Sequence, residues 1–311
     1  MMRPSIKDLR KVRINKVLRI LTAALTLSIG LAACSPFKLI NKLSSENNSR
    51  ISADLSYGAG PRHKLDVYSP LGVKVAAPVV VFFYGGSWNN GSRTDYAFVG
   101  RALASRGMVA VLADYRLYPE VRYPAFLEDC AQAVAWTIRE VAHYGGDPKH
   151  VFVMGHSAGA YNAAMIALDD RWLGAQGMTP SALRGWIGLA GPYDFIPIVN
   201  PEVRPVFFYP DTPPESQPIN HVTATAPPAL LIAAKNDGSV NPQRNTGGLS
   251  RQLRARGVFV KELYFGKVSH ATLIASLSKP LSQLAPTLDA IEHFVTTDGG
   301  RSDLGKISSP Q

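Results

Sequence analysis

Short apolar runs alternate with segments of helical periodicity along most of this 311-residue chain. The apolar runs are continuous, which is typical of strands that are buried on both faces of a parallel sheet. The alternation therefore predicts an α/β fold with a doubly wound, mostly parallel sheet flanked by helices. The predicted strands lie at residues 78–83, 151–154, 186–190, 228–234 and 258–265, and the predicted helices at residues 96–106, 126–143, 157–169, 246–256 and 280–295.

A proline-rich segment interrupts this alternation. Residues 192–228 hold ten prolines and the aromatic cluster of Phe207, Phe208 and Tyr209. Because proline cannot continue a regular helix, the segment is predicted to be an insert that forms a lid or pocket wall. The α/β domain is predicted to cover residues 53–296, followed by a disordered tail at 297–311.

The first 33 residues have a different composition from the rest. Seven basic residues precede the apolar run 20–33. This run is too short to span a bilayer, where about 20 residues are needed, but it suits the core of a signal peptide. It ends in small residues directly before Cys34, a pattern that resembles a bacterial lipobox. The resemblance implies cleavage before Cys34 and lipid on its sulfur and new amino group, and an ordinary signal peptide or an uncleaved anchor is the alternative.

Much of the positive charge belongs to this leader. The full chain has a formal net charge of +10, and residues 1–33 contain seven basic residues and one acidic residue. We therefore expect no nucleic-acid partner. Residues 34–52 are polar after the cysteine and are predicted to be a flexible tether between the domain and a membrane. Ser35 after the cysteine resembles outer-membrane sorting, so the expected location is the bacterial cell envelope, lipid-anchored in the outer membrane and facing the periplasm.

A serine turn follows the predicted strand 151–154. Residues 155–159 read Gly-His-Ser-Ala-Gly and lead into an alanine-rich segment with helical spacing. A strand, a sharp turn and a helix with serine at the turn predict a nucleophile elbow centred on Ser157. The flanking glycines are needed because the turn is strained and the chains approach closely.

The loop after the predicted strand 78–83 supplies a second candidate feature. Because Gly85 and Gly86 have no side chains, their backbone N–H groups are accessible. These N–H groups, with that of Ala158, are candidate oxyanion donors. Trp88 and Tyr161 are candidates for the wall of an acyl pocket, with a place in the core as the alternative.

A base and an acid are needed to activate the serine. A protonated hydroxyl is a weak nucleophile, and the usual base is a histidine that a carboxylate orients. His270 follows the predicted strand 258–265, and Asp237 follows the strand 228–234. The order Ser157, Asp237, His270 is that of one known hydrolase triad. Asp194, which also follows a predicted strand, is the alternative acid.

Five stretches carry a resemblance to a known family. The chain resembles the α/β-hydrolase carboxylesterases, especially the bacterial esterase/lipase group related to the hormone-sensitive-lipase-like and feruloyl-esterase-like enzymes, with arylformamidases as close cousins. In place of the histidine that often precedes the glycine pair in these relatives, this chain has Tyr84. The matching stretches are LDVYSP (65–70), VVVFFYGGSW (79–88), ADYRLYPE (113–120), YGGDPKHVFVMGHSAGA (144–160) and NDGSV (236–240).

These features predict a serine carboxylesterase. It would hydrolyse short to medium acyl esters, of a small molecule or an acylated carbohydrate, through an acyl-enzyme intermediate. An amidase or arylformamidase with the same triad is one alternative, and a non-catalytic binding module of the same fold is another. No metal-ligand spacing, dinucleotide glycine motif or Walker lysine occurs, so no metal or cofactor is expected.

Overall fold

The computed structural model describes residues 36–44, 49–72 and 75–300. Eight strands form one sheet in the order β1-β2-β4-β3-β5-β6-β7-β8. β1 and β2 are antiparallel, as are β2 and β4, and all other neighbours are parallel. The predicted doubly wound, mostly parallel sheet is confirmed. The strands are β1 (Ser49–Ser56), β2 (Lys64–Pro70), β3 (Ala77–Phe83), β4 (Val109–Ala113), β5 (Gly146–His156), β6 (Leu183–Leu189), β7 (Ala229–Ala234) and β8 (Val260–Phe265).

The central strands explain why apolar runs located the sheet. Every residue of β7 is apolar and buried, and β3 is buried at six of its seven positions. Helices cover the faces of such a sheet, so both sets of alternating side chains avoid water. The apolar runs did not predict β1, β2 or β4. β1 is an edge strand without a fully buried residue, and its sequence therefore lacks an apolar run.

Helices flank the sheet, and one of them is buried on all sides. The helix that begins directly after Ser157 has no exposed residue. A helix that is apolar all round packs inside the domain, and this one fixes the position of the turn before it. The helices are α1 (Pro36–Leu43), α2 (Ala97–Ser105), α3 (Ala125–Glu140), α4 (Ala158–Leu168), α5 (Asp170–Gly174), α6 (Gly248–Ala255), α7 (His270–Ala275) and α8 (Thr287–Thr296).

The prediction of a flexible tether at residues 34–52 is wrong where the structure describes that segment. The end of the segment belongs to β1, and α1 packs on the domain. The ring of Phe37 lies 4.9 Å from that of Tyr96, centroid to centroid. The side chain of Asn41 donates to the carbonyl of Thr94 at 2.9 Å and accepts from the N–H of Phe98 at 2.8 Å. One buried face on a short polar segment is enough to dock it.

The proline-rich insert and the predicted tail also have defined positions. Within residues 192–228 only short 3₁₀ turns occur, and Phe207 is buried among aromatic neighbours. The prediction of disorder from residue 297 is wrong for 297–300, because Gly299 donates to the carbonyl of Phe294 at 2.9 Å and Gly300 is buried. Residues 301–311 lie outside the described residues, as do the predicted signal peptide and Cys34.

Candidate active site

A sharp turn at the carboxyl end of β5 presents Ser157. Its backbone has φ 54° and ψ −121°, a conformation that L-residues rarely adopt. A Cβ on Gly155 would overlap the carbonyl oxygen of Gly159, and a Cβ on Gly159 would overlap that of Phe83. Both glycines are therefore required by close backbone approach, and the strained serine is held between a buried strand and a buried helix.

Three side chains that follow β5, β7 and β8 form one hydrogen-bonded chain. His270 Nε2 lies 2.8 Å from Ser157 Oγ, and His270 Nδ1 lies 2.8 Å from Asp237 Oδ2. A carboxylate only accepts, so Nδ1 carries the proton and Nε2 accepts from the serine hydroxyl. His270 is the first residue of α7, and a capping box of Ser269 and Thr272 fixes the start of that helix. The arrangement can take a proton from the serine.

The carboxylate of Asp237 is buried and held by the backbone. Its Oδ1 accepts from the N–H groups of Ser239 at 2.8 Å and Val240 at 2.9 Å. Burial raises the pKa of Asp237, but the hydrogen bond and charge of His270 and these two N–H groups outweigh burial, so the pKa lies below its usual value. Asp237 therefore stays ionised at neutral pH and orients the imidazole.

The alternative acid is engaged elsewhere. Asp194 accepts from Arg244 at 2.9 and 3.0 Å in a two-pronged ion pair, and its N–H donates to the side chain of Asn245. Both carboxylates follow strands that end at the same edge of the sheet. Only Asp237 reaches His270.

His156, the residue before the serine, makes a contact that the sequence did not predict. Its Nε2 lies 3.0 Å from the backbone carbonyl of His270, and since a carbonyl only accepts, Nε2 carries the proton. Burial, and then the nearby His270, lower the pKa of His156 to about 3. The side chain is therefore neutral and ties the elbow to the first residue of α7. The signal in the sequence was only its place next to the serine.

The neutral state of His156 predicts an acid-sensitive fold. Between about pH 6.5 and pH 3 the unfolded chain binds a proton that the folded chain excludes. The free energy of unfolding should therefore decrease as the pH is lowered through this window, by up to about 1.4 kcal/mol per pH unit. Urea unfolding at pH 7.5, 6 and 5 measures it. His156→Gln, which keeps a donor for the carbonyl of His270, should lose this component, and parallel pH dependences in the two proteins would contradict a neutral His156.

The glycine pair lies against the serine turn. A Cβ on Gly85 would come within 2.9 Å of Ser157 Cβ, and Gly86 has φ +132°, where a Cβ would overlap the carbonyl of Asn90. Burial raises the pKa of Tyr96, whose side chain lines the same cavity, and the nearby backbone of Gly85 opposes that rise.

Arg62 holds the loop that carries the glycine pair. One of its terminal nitrogens donates to the hydroxyl of Tyr84 at 2.6 Å and to the carbonyl of Gly91 at 2.9 Å, while Nε donates to the carbonyl of Tyr115 at 2.8 Å. The hydroxyl of Tyr115 in turn donates to the carbonyl of Tyr84 at 2.7 Å. Tyr84, which replaces the expected histidine, is thus tied to a planar guanidinium that spans both ends of the loop.

A cavity of about 920 Å³ opens over Ser157. Trp88 lines it and donates to the side chain of Asn162 at 3.0 Å. The prediction that Tyr161 lines the pocket is wrong. Its ring is fully buried in the core and meets the Trp88 ring edge-on, with 5.0 Å between the two ring centroids. Sequence reasoning missed the contributions of α1 and of the Asp194–Arg244 pair. The lining includes Phe37, Gly86, Trp88, Tyr96, Ser157, Asp194, Phe195, Ile198, Val199, Val203, Arg244 and His270.

The described residues contain neither a metal-binding cluster nor a membrane-spanning helix. Within residues 36–44, 49–72 and 75–300, no group of three or more His, Cys, Asp or Glu side chains is arranged to hold a metal ion. In the same described part of the chain, no helix is both long enough and apolar enough to cross a membrane.

The fold and the first half of the site match known proteins. Residues 65–202 match the family described as BD-FAE, a stretch that includes Ser157 and the glycine pair but ends before Asp237 and His270. An esterase from Pyrobaculum calidifontis superposes with a TM-score of 0.67 at 23% identity, covering 86% of this chain and 90% of that protein. This chain has the α/β-hydrolase fold. The structural likeness at that identity establishes the fold alone.

Sequence relatives of this chain are named as esterases. It is 34% identical over 158 residues to a probable isoprenylcysteine alpha-carbonyl methylesterase, ICMEL1, of Oryza sativa subsp. japonica, covering 49% of this chain and 37% of the relative. It is 32% identical over 219 residues to esterase LipC of Mycobacterium tuberculosis, covering 64% of this chain and 54% of the relative. The chain thus spans roughly a third to a half of these relatives' lengths.

Proposed function

We propose that this protein is a serine carboxylesterase. The observation that carries the proposal is the continuous chain from Ser157 Oγ through His270 to Asp237, with 2.8 Å at each step. The strained elbow, the adjacent glycine pair and the esterase names of the relatives support it.

The proposed reaction proceeds through an acyl-enzyme. Ser157 Oγ attacks the ester carbonyl while His270 Nε2 takes the hydroxyl proton, and His270 then gives that proton to the departing alcohol. Water attacks the acyl-serine in the same way, releasing the acid and restoring the serine hydroxyl. Asp237 remains ionised and stabilises the imidazolium.

The negative charge that develops on the carbonyl oxygen needs donors. We assign this role to the N–H groups of Gly85, Gly86 and Ala158, because the glycine loop lies directly against the serine turn. Ala158 is the first residue of α4, where N–H groups have no partner within the helix. The missing side chain of Gly85 also lets the loop approach Ser157.

Esters with short to medium acyl chains, of small molecules or acylated carbohydrates, fit the cavity best. Apolar rings and aliphatic side chains alternate along its wall with polar groups such as Asp194 and Arg244. Each further acyl CH₂ adds affinity, about 0.8 kcal/mol, only while it stays buried. We expect kcat/KM for p-nitrophenyl esters to rise from acetyl to about butyryl or hexanoyl and then to fall.

Two further arms of that assay separate the alternatives. An N-formyl aryl amide turned over faster than the best ester would favour an arylformamidase. A fluorophosphonate probe should label Ser157, and a protein that neither reacts with the probe nor turns over any ester would be a binding module. A maximum at twelve carbons or beyond would contradict the proposed acyl range.

We also propose that Cys34 carries lipid and anchors the protein in the outer membrane of a bacterial envelope, facing the periplasm. The basic leader, the apolar run and the small residues before the cysteine support this. Two or more acyl chains hold a protein on a bilayer far more firmly than one. Wild-type protein should stay on membranes that are washed at high salt and show added lipid mass at Cys34, and Cys34→Ser should lose both, since salt screens a purely electrostatic attachment. Soluble wild-type protein without added mass would refute the anchor.

A further inference from the structure

Helix α1 has an exposed face with a mixed apolar and basic character. Leu39 and Leu43 are 55% and 61% exposed, and Lys38 and Lys42 are also exposed. Each pair is spaced by four residues, so the two leucines lie side by side along the helix and the two lysines lie side by side next to them. Large exposed leucines on so short a helix are unfavourable in water unless another surface covers them.

The opposite face fixes where this surface lies. Phe37 and Ile40 pack against the core, and Asn41 is hydrogen-bonded to the segment before α2. Phe37 also lines the cavity over the candidate active site, and Val199, which lines the same cavity, is 80% exposed. The exposed face of α1 therefore belongs to a helix that also contributes to the cavity wall.

The chain before the helix indicates what covers this face. Cys34, the proposed lipid site, precedes Pro36 by two residues, and two residues span at most about 7 Å. Any lipid on Cys34 would hold α1 at the bilayer surface. The lysines suit the phosphates of anionic lipids, and the leucines suit the boundary between headgroups and acyl chains.

We propose that α1 docks this protein on an anionic phospholipid surface. Leu39 and Leu43 enter the interface, Lys38 and Lys42 contact headgroup phosphates, and the cavity opening lies beside the bilayer. The docking surface acts without lipid on Cys34 and without esterase turnover, so it goes beyond the proposed function and is tested separately from it.

The experiment uses the chain from residue 34 with Cys34→Ser, so that no lipid is attached. Flotation with vesicles of phosphatidylethanolamine and phosphatidylglycerol (3:1), and with phosphatidylcholine vesicles, measures partitioning. Lys38→Glu with Lys42→Glu should weaken binding to the anionic vesicles by about tenfold or more, and Leu39→Ser with Leu43→Ser should also weaken it severalfold. Lys149→Glu with Arg256→Glu makes the same charge change at two exposed residues, one near the start of β5 and one before β8, and should bind like the parent.

Each outcome bears on one proposal. Equal binding of the parent and both α1 variants would overturn the docking surface, as would equal binding to the two vesicle types or the same loss in the Lys149 and Arg256 control. Turnover of soluble p-nitrophenyl acetate should be the same in all four proteins, which verifies that they are folded. If none of them turns the ester over while the binding pattern holds, the esterase proposal fails and the docking surface stands.

Discussion

Ser157→Ala is expected to lower kcat for a p-nitrophenyl ester by about 10⁴-fold or more, because the members of a triad act as one unit. His270→Ala should cost about as much. The hydroxyl of Ser157 faces His270 at the cavity rather than the core, so the melting temperature should change by only about 3 °C or less. Steady-state kinetics and thermal unfolding of the same preparations measure both quantities.

The control for this substitution is Ser181→Ala. Ser181 is an exposed serine just before β6, at the end of the sheet away from the cavity. Among the described residues its hydroxyl hydrogen-bonds only to that of Thr179. It should retain wild-type kcat and stability. A Ser157→Ala protein that keeps more than a tenth of wild-type turnover would contradict the proposed mechanism, whatever the stability of that variant.

The second large effect is expected at the acid. Asp237→Asn should lower kcat by about 10⁴-fold, because an amide can donate to His270 Nδ1 and so favours the tautomer whose Nε2 cannot accept the serine proton. The geometry itself should persist, since Asn retains an oxygen for the N–H groups of Ser239 and Val240. Kinetics at neutral pH, with KM determined separately, tests this.

Asp194→Asn is the matched comparison for that substitution. It removes one charge from the exposed ion pair with Arg244, and exposed pairs contribute only about 0–1 kcal/mol. We expect kcat to change by less than about tenfold, with any effect falling on KM because the pair lines the cavity. The reverse ranking of the two variants would move the acid to Asp194.

Local patterns in the sequence located much of the sheet and the serine turn. A buried parallel strand must be apolar on both faces, so runs such as 228–234 are visible without any knowledge of their neighbours. Much of the elbow is equally local, because the strain at Ser157 and the close approach of Gly155 to Gly159 arise within five consecutive residues. These features could be predicted since their physical cause lies within the segment itself.

Other features depend on partners far away in the chain. β1 is recognisable only from its pairing with β2, and α1 only from the contacts that Phe37 and Asn41 make with residues near 96. β1 is short and mostly polar, and α1 is short and mixes apolar with basic residues. A short segment without a continuous apolar run is equally compatible with a tether. Trp88 and Tyr161 likewise differ only in which of two adjoining rings faces the cavity.

The sequence by itself determined the α/β architecture, the position of the serine turn and a short set of candidate residues that follow the carboxyl ends of the parallel strands. The tertiary structure decided which of two carboxylates orients His270, how Tyr84 is held by Arg62, and that His156 reaches the carbonyl of His270. The physical reason is the same in each case. Strand and turn preferences arise within a few residues. The hydrogen bond of 2.8 Å between Asp237 and His270, which are 33 residues apart, depends instead on how the elements between them pack.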